Sequence, residues 1–108
     1  MKRGDIVIAA QPGPYTGKPR PYLVVQRASL IADSVGVTGC PFTTELVGAG
    51  LIRIAVYPDK ENGLDVLSEI EIDKITTLRK INIRERIGTL APSAMSQVDD
   101  ALRRWLDL

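Results

Sequence analysis

The stretch Lys18-Pro19-Arg20-Pro21-Tyr22-Leu23-Val24-Val25-Gln26 decides how the rest of the chain is read. A loop rich in proline and glycine runs into an arginine, and an apolar run follows at once. Proline is tolerated at the first residue of a strand and poorly inside one, so Pro21 marks a strand start. Tyr22 to Val25 is aromatic and β-branched with no polar alternation, the pattern of a strand buried on both faces. Arg20 is then held at the rim of a rigid element beside a loop, where a cation can meet an anion without being buried alone.

Outward from this stretch, composition sets the limits. The 108 residues suit one domain spanning the whole chain, 1–108, with a modest core. Apolar residues make up 44% and charged residues 25%, which is ordinary for a globular protein, and no apolar run approaches membrane-spanning length. Met1-Lys2-Arg3-Gly4-Asp5 passes directly into a strand pattern and does not read as a signal peptide. Cys40 is the single cysteine, so an intrachain disulfide is excluded and a reducing cytoplasm fits. The chain has no histidine, which removes the commonest general base and the commonest metal ligand. The net charge of +1 hides an uneven spread: residues 1–30 sum to +4, residues 31–78 to −5 and residues 79–108 to +2. A basic patch from the first third is compatible with that distribution; a general attraction for nucleic acid is not argued by it.

Strands are expected at Asp5 to Ala10, Arg20 to Arg27, Ser34 to Pro41, Leu51 to Tyr57, Ser68 to Ile72 and Ile75 to Ile83, with a short last one at Ile87 to Leu90. The loop from Gln11 to Pro19 is long for a hairpin connection, as binding loops often are. Pro58 to Gly63 reads as a turn ending in Asn-Gly. From Pro92 the period changes: Met95, Val98, Leu102, Trp105 and Leu106 form one helical stripe, which predicts packing for Trp105. Many short strands and one closing helix imply a mainly β fold, a small antiparallel barrel or curled sheet.

Arg20 is the first candidate for chemistry, because a guanidinium stays charged and its fork of donors matches phosphate. Its plain alternative is a structural ion pair. Thr43 and Thr44 follow the Cys40-Pro41 strand end, where a hydroxyl can donate to a phosphate oxygen or simply close a turn. Tyr15 and Lys18 in the long loop are placed to stack on a base and hold a phosphate, or to be ordinary loop polarity. Glu69, Glu71 and Asp73 read as a solvated strand edge, Asp99-Asp100 as a pair of residues facing different ways, and Cys40 as a small buried apolar group. No zinc spacing, nucleophile elbow or glycine-rich phosphate fingerprint is present.

Lys2-Arg3-Gly4-Asp5-Ile6-Val7, the Arg20 to Gln26 stretch, and Pro41-Phe42-Thr43-Thr44 together resemble the MazF/PemK (Kid) toxins. The resemblance continues through Ser68, Asp73 to Leu78, Ile87 to Leu90 and the closing helix, and so covers nearly the whole chain. It implies an SH3-like or CcdB-like barrel that works as a homodimer. It also implies a cytoplasmic endoribonuclease that needs no metal or other cofactor, cuts single-stranded RNA at short preferred sequences, and is silenced by an antitoxin whose acidic segment covers the RNA groove. In that family the arginine of Arg-Pro and the threonine of Pro-x-Thr act at the scissile phosphate, matching Arg20 and Thr43. RNA brings its own nucleophile, the neighbouring 2′-hydroxyl, so the protein needs only to align the chain and stabilise charge. Some relatives carry Arg-x-Asp on the late strand; here that place reads Glu71-Ile72-Asp73, so Asp73 matches as a base and the arginine does not. Lys74 stands where others have glutamine and joins Tyr15, Lys18 and Thr44 as an RNA contact. A rival reading is a CcdB-like poison of DNA gyrase, a non-enzymatic role for which a tryptophan near the C-terminus, here Trp105, is the relevant feature.

Overall fold

A computed structural model describes residues 1–12 and 17–108. Among the described residues, seven strands and one α-helix follow one another as β1 (Asp5–Ala9), β2 (Arg20–Val24), β3 (Gly36–Thr43), β4 (Arg53–Val56), β5 (Ser68–Glu71), β6 (Thr76–Arg79), β7 (Ile83–Thr89) and α1 (Pro92–Leu106). All pairings are antiparallel, in the order β4-β5-β3-β2-β1-β7, with β6 also paired to β3. The expected mainly β architecture with a C-terminal helix is therefore the one observed. β3 begins and ends two residues later than its sequence pattern suggests, running through Pro41 to Thr43. Along one edge it pairs first with β6, up to Gly39 opposite Thr76, and then with β5, from Phe42 opposite Ile70. Pro41 falls in the gap between the two partners, where a missing ladder N–H is tolerated. The run Ile75 to Ile83 is divided by a 3-10 turn at Lys80–Asn82, and the last strand starts at Ile83 rather than Ile87.

The alternation of side chains makes two cores, one on each face of the sheet. Ile6, Leu23, Cys40, Phe42, Ile54, Val56, Ile70 and Ile72 share the first with Val98 and Ala101 of the helix. Val7, Ala9, Tyr22, Val24, Val37 and Leu78 form the second. Tyr22, Leu23 and Val24 thus contribute to both faces, as a central strand should. Burial and the Asp73 charge push the Cys40 thiol up to about 12, so it is an inert apolar filler at neutral pH. Pro92 starts the helix, where its missing N–H costs nothing. The apolar stripe is only partly covered: Ala94, Met95 and Leu102 pack on the first core, but Trp105 is 46% exposed. The packing expected for Trp105 is corrected accordingly, and Leu106 on the same turn is likewise 47% exposed. Gly63 has φ +69° and its Cα faces the Ile87 carbonyl, so a side chain there would be both strained and blocked. Among the described residues no helix is long and apolar enough to cross a membrane.

Candidate functional site

The site grows out of strand register. Tyr22 of β2 stands opposite Pro41 of β3, and carrying that register toward the strand ends brings Arg20 opposite Thr43. Thr43 stands opposite Glu69 of β5, and Glu71 stands opposite Arg53 of β4. Residues opposite one another across a ladder share a face, as do residues two apart on one strand. Arg20, Thr43, Glu69, Glu71 and Arg53 therefore lie on one face of the sheet, the face of Tyr22 and Val24. They continue it as a charged surface beyond the second core.

Arg20 is half-buried, with its Cζ 5.6 Å from the centre of the Tyr22 ring, within reach of a cation–π contact. Its Nη1 lies 3.5 Å from Glu71 Oε1, a loose ion pair. Its Nε is buried and has no hydrogen-bond partner among the described residues. Thr43 Oγ1 accepts the Glu45 N–H at 3.1 Å, which is the turn-closing role. The hydroxyl still has its own proton to donate, so the two readings of Thr43 are compatible. Two grooves meet at this pair. One, of about 600 Å³, is lined by Lys18, Arg20, Thr43, Thr44, Glu45, Glu71 and Lys74. The other, of about 530 Å³, is more apolar, with Pro19, Pro21, Phe42, Leu64, Val66 and Ile87 in its walls. Arg20, Thr43 and Thr44 line both. A chain crossing from one groove to the other would pass over the guanidinium and the two hydroxyls.

The acidic strand departs most from expectation. Glu69 and Glu71 are 4% and 2% exposed, so they are not a solvated edge. Both faces of β5 are covered, Ile70 by the first core and the glutamates by cations and loop backbone. Glu69 accepts the N–H groups of Val47 and Gly48, each at 2.9 Å, and these bonds hold its carboxyl below the usual range. They also tie down the loop that starts at Thr44. Glu71 meets Arg20, Arg53 at 3.5 Å and Lys74 at 3.0 Å. Asp73, in the 3-10 turn Ile72–Lys74, is gripped at both oxygens by Arg53, Nε to Oδ1 at 2.7 Å and Nη2 to Oδ2 at 3.1 Å. It lines neither groove. The guanidinium absent from position 71 is thus delivered to Asp73 across the ladder from position 53. Arg53 is the residue that sequence reasoning missed; its signal was a lone charge in the apolar run Leu51 to Tyr57. Tyr15 lies outside the described residues.

The Arg53 fork lowers the Asp73 pKa below its ordinary 3.8, outweighing burial. Such a carboxylate contributes stability that is fully present above its unfolded value and is lost as pH falls through its lowered folded value. Glu69 acts in the same direction from an ordinary 4.5. The denaturant midpoint is expected to hold from pH 7 to about pH 5 and then to drop as pH falls below about 4. Asp73→Asn should show a shallower drop in a pH series of urea melts; an unchanged acid limb would show that the Arg53 pair contributes nothing.

Fold and site define a class, a small antiparallel seven-stranded sheet with a C-terminal helix that gathers a guanidinium and two hydroxyls where two grooves meet. Residues 2–106 match the family described as PemK-like, MazF-like toxin of type II toxin-antitoxin system. The chain is 43% identical to the probable endoribonuclease MazF of Mycolicibacterium smegmatis over 108 residues, 100% of this chain and 98% of that one. It is 32% identical to endoribonuclease MazF6 of Mycobacterium tuberculosis over 97 residues, 89% of this chain and 85% of that one. Among solved structures, Mycobacterium tuberculosis toxin MazF-mt6 superposes with a TM-score of 0.81 at 28% identity, covering 96% of this chain and 97% of that one. A mycobacterial endoribonuclease in complex with its cognate antitoxin shares the fold, with a TM-score of 0.82 at 22% identity over 100% of this chain and 96% of that one. The chain belongs to the PemK/MazF family of toxin endoribonucleases. The gyrase-poison reading is not favoured by this match.

Proposed function

We propose that this toxin cuts single-stranded RNA by in-line attack of a ribose 2′-hydroxyl on the adjacent phosphate, with Arg20 and Thr43 at that phosphate. The O2′–P bond forms as the P–O5′ bond breaks, which leaves a 2′,3′-cyclic phosphate and a free 5′-hydroxyl. The 2′-hydroxyl gives its proton to solvent, and the departing oxygen takes one from water while Arg20 donates a hydrogen bond to it. The observation that carries this reading is the shared position of Arg20 and Thr43 on both grooves. A donor there can stabilise the charge that develops on the phosphorane. Lys18, Lys74 and Thr44 edge the polar groove and suit phosphates on either side, with Tyr15 a candidate for base stacking. Asp73 serves as the counter-ion of Arg53: a carboxylate bonded at both oxygens with a lowered pKa is poorly matched to accepting a proton at neutral pH.

In this reading the protein works in the cytoplasm as a homodimer, and an acidic antitoxin segment silences it by occupying the cation-lined groove. The chemistry needs no metal. RNA incubated with the purified chain in excess chelator is expected to yield cyclic-phosphate and 5′-hydroxyl ends. Intact RNA, or cutting that returns only with divalent ions, overturns the reading.

A further inference from the structure

Glu71 has no part in the reaction as written, yet its carboxylate is 2% exposed and sits among three cations at the wall of the polar groove. A carboxylate out of water must be paired, and these pairs are divided between its oxygens. Oε2 faces Lys74 Nζ at 3.0 Å and Arg53 Nη2 at 3.5 Å. Oε1 faces Arg20 Nη1 at 3.5 Å. One oxygen is anchored and the other is presented to Arg20. The anchor is itself fixed, because Arg53 is locked to Asp73 through two bonds. Arg20 has the Tyr22 ring on one side and Glu71 on another, which limits how its guanidinium can turn. The Nε–H is buried, so Nη1 and Nη2 are the nitrogens through which Arg20 would meet a ligand.

We propose that Glu71 is a positioning residue for RNA cleavage: it holds the Arg20 guanidinium at the lip of the groove, and Arg53 and Lys74 hold Glu71. This rests on the role of Arg20 given under Proposed function. Glu71 touches neither the scissile phosphate nor the attacking hydroxyl, and its effect passes entirely through Arg20. Misplacing a group that stabilises the transition state slows chemistry far more than it weakens binding.

The test is a double-mutant cycle, with kcat and KM measured on a single-stranded oligoribonucleotide containing one bond that the parent cuts. Glu71→Gln keeps the shape and removes the charge; it is expected to lower kcat by about 10²-fold with KM within about threefold. In an Arg20→Lys background, already slow because a lysine cannot present the fork, Glu71→Gln is expected to cost less than about threefold. Equal losses in both backgrounds would show that Glu71 acts independently of Arg20, as a base or a fold support, and would overturn the proposal. So would a parental kcat for Glu71→Gln. A parental kcat for Arg20→Lys, in contrast, fails the reading of Arg20 itself and takes the positioning role down with it. Glu71→Asp covers the case in which Glu71→Gln does not fold. It keeps the charge for Arg53 and Lys74, shortens the reach toward Arg20 by one methylene, and is expected to lose kcat with the same dependence on Arg20. Full activity for Glu71→Asp overturns the proposal.

Discussion

Replacing Arg20 by alanine is expected to slow single-turnover RNA cleavage by about 10²- to 10³-fold, the loss typical of removing one donor to a developing oxyanion. The size follows from what is left behind. Thr43 and Thr44 still line both grooves, and Lys18 and Lys74 still edge the polar one, so the chain continues to bind. What disappears is, among the described residues, the one side chain with charged donors that lies where the two grooves meet. Fold stability should suffer little, because Glu71 retains Arg53 and Lys74 as partners. A folded Arg20→Ala protein that cuts within about threefold of the parent rate would remove the catalytic role, since one lost oxyanion donor costs far more than that.

The second large effect is on stability and comes from the same strand. Leu23→Ala is expected to cost about 3 kcal/mol, within the range for emptying a fully buried leucine site. Leu23 is completely buried, opposite Ile6 on one neighbouring strand and Cys40 on the other, in the core that packs under the helix. Both flanking strands fix its backbone, so the surroundings have little freedom to collapse into the space. Urea unfolding should show a lowered midpoint with an unchanged slope. A loss below about 1 kcal/mol would mean that the first core is looser than its burial indicates. The contrast with Arg20→Ala separates two parts of one strand: its interior holds the fold, and its first residue carries the proposed chemistry.

What could be read from the sequence follows from what is local. The apolar run Tyr22 to Val25, the stripe from Met95 to Leu102 and the glycine at 63 are short-range patterns, and the structure places them as a central strand, a packed helix and a positive-φ turn. Arg20 and Thr43 were legible because each adjoins a proline-marked strand feature. The partner change of β3 around Pro41 was not, since it depends on which strands arrive at that edge. The burial of Glu69 and Glu71 was hidden for a related reason: alternation with Ile70 and Ile72 separates two faces without saying what covers the second. Arg53 reaches Asp73 and Glu71 only through the register of β4 on β5, a long-range pairing that no local pattern encodes. Trp105 lies on the apolar stripe, but the stripe does not tell how much of it the rest of the chain covers.

The attack by RNA's own ribose oxygen can be tested at one atom. An oligoribonucleotide cut at a single bond is compared with one carrying a 2′-deoxy nucleotide just before that bond, both in excess chelator. The account predicts that the parent protein cuts the first and leaves the second intact at that bond. Equal cutting of the two would contradict it.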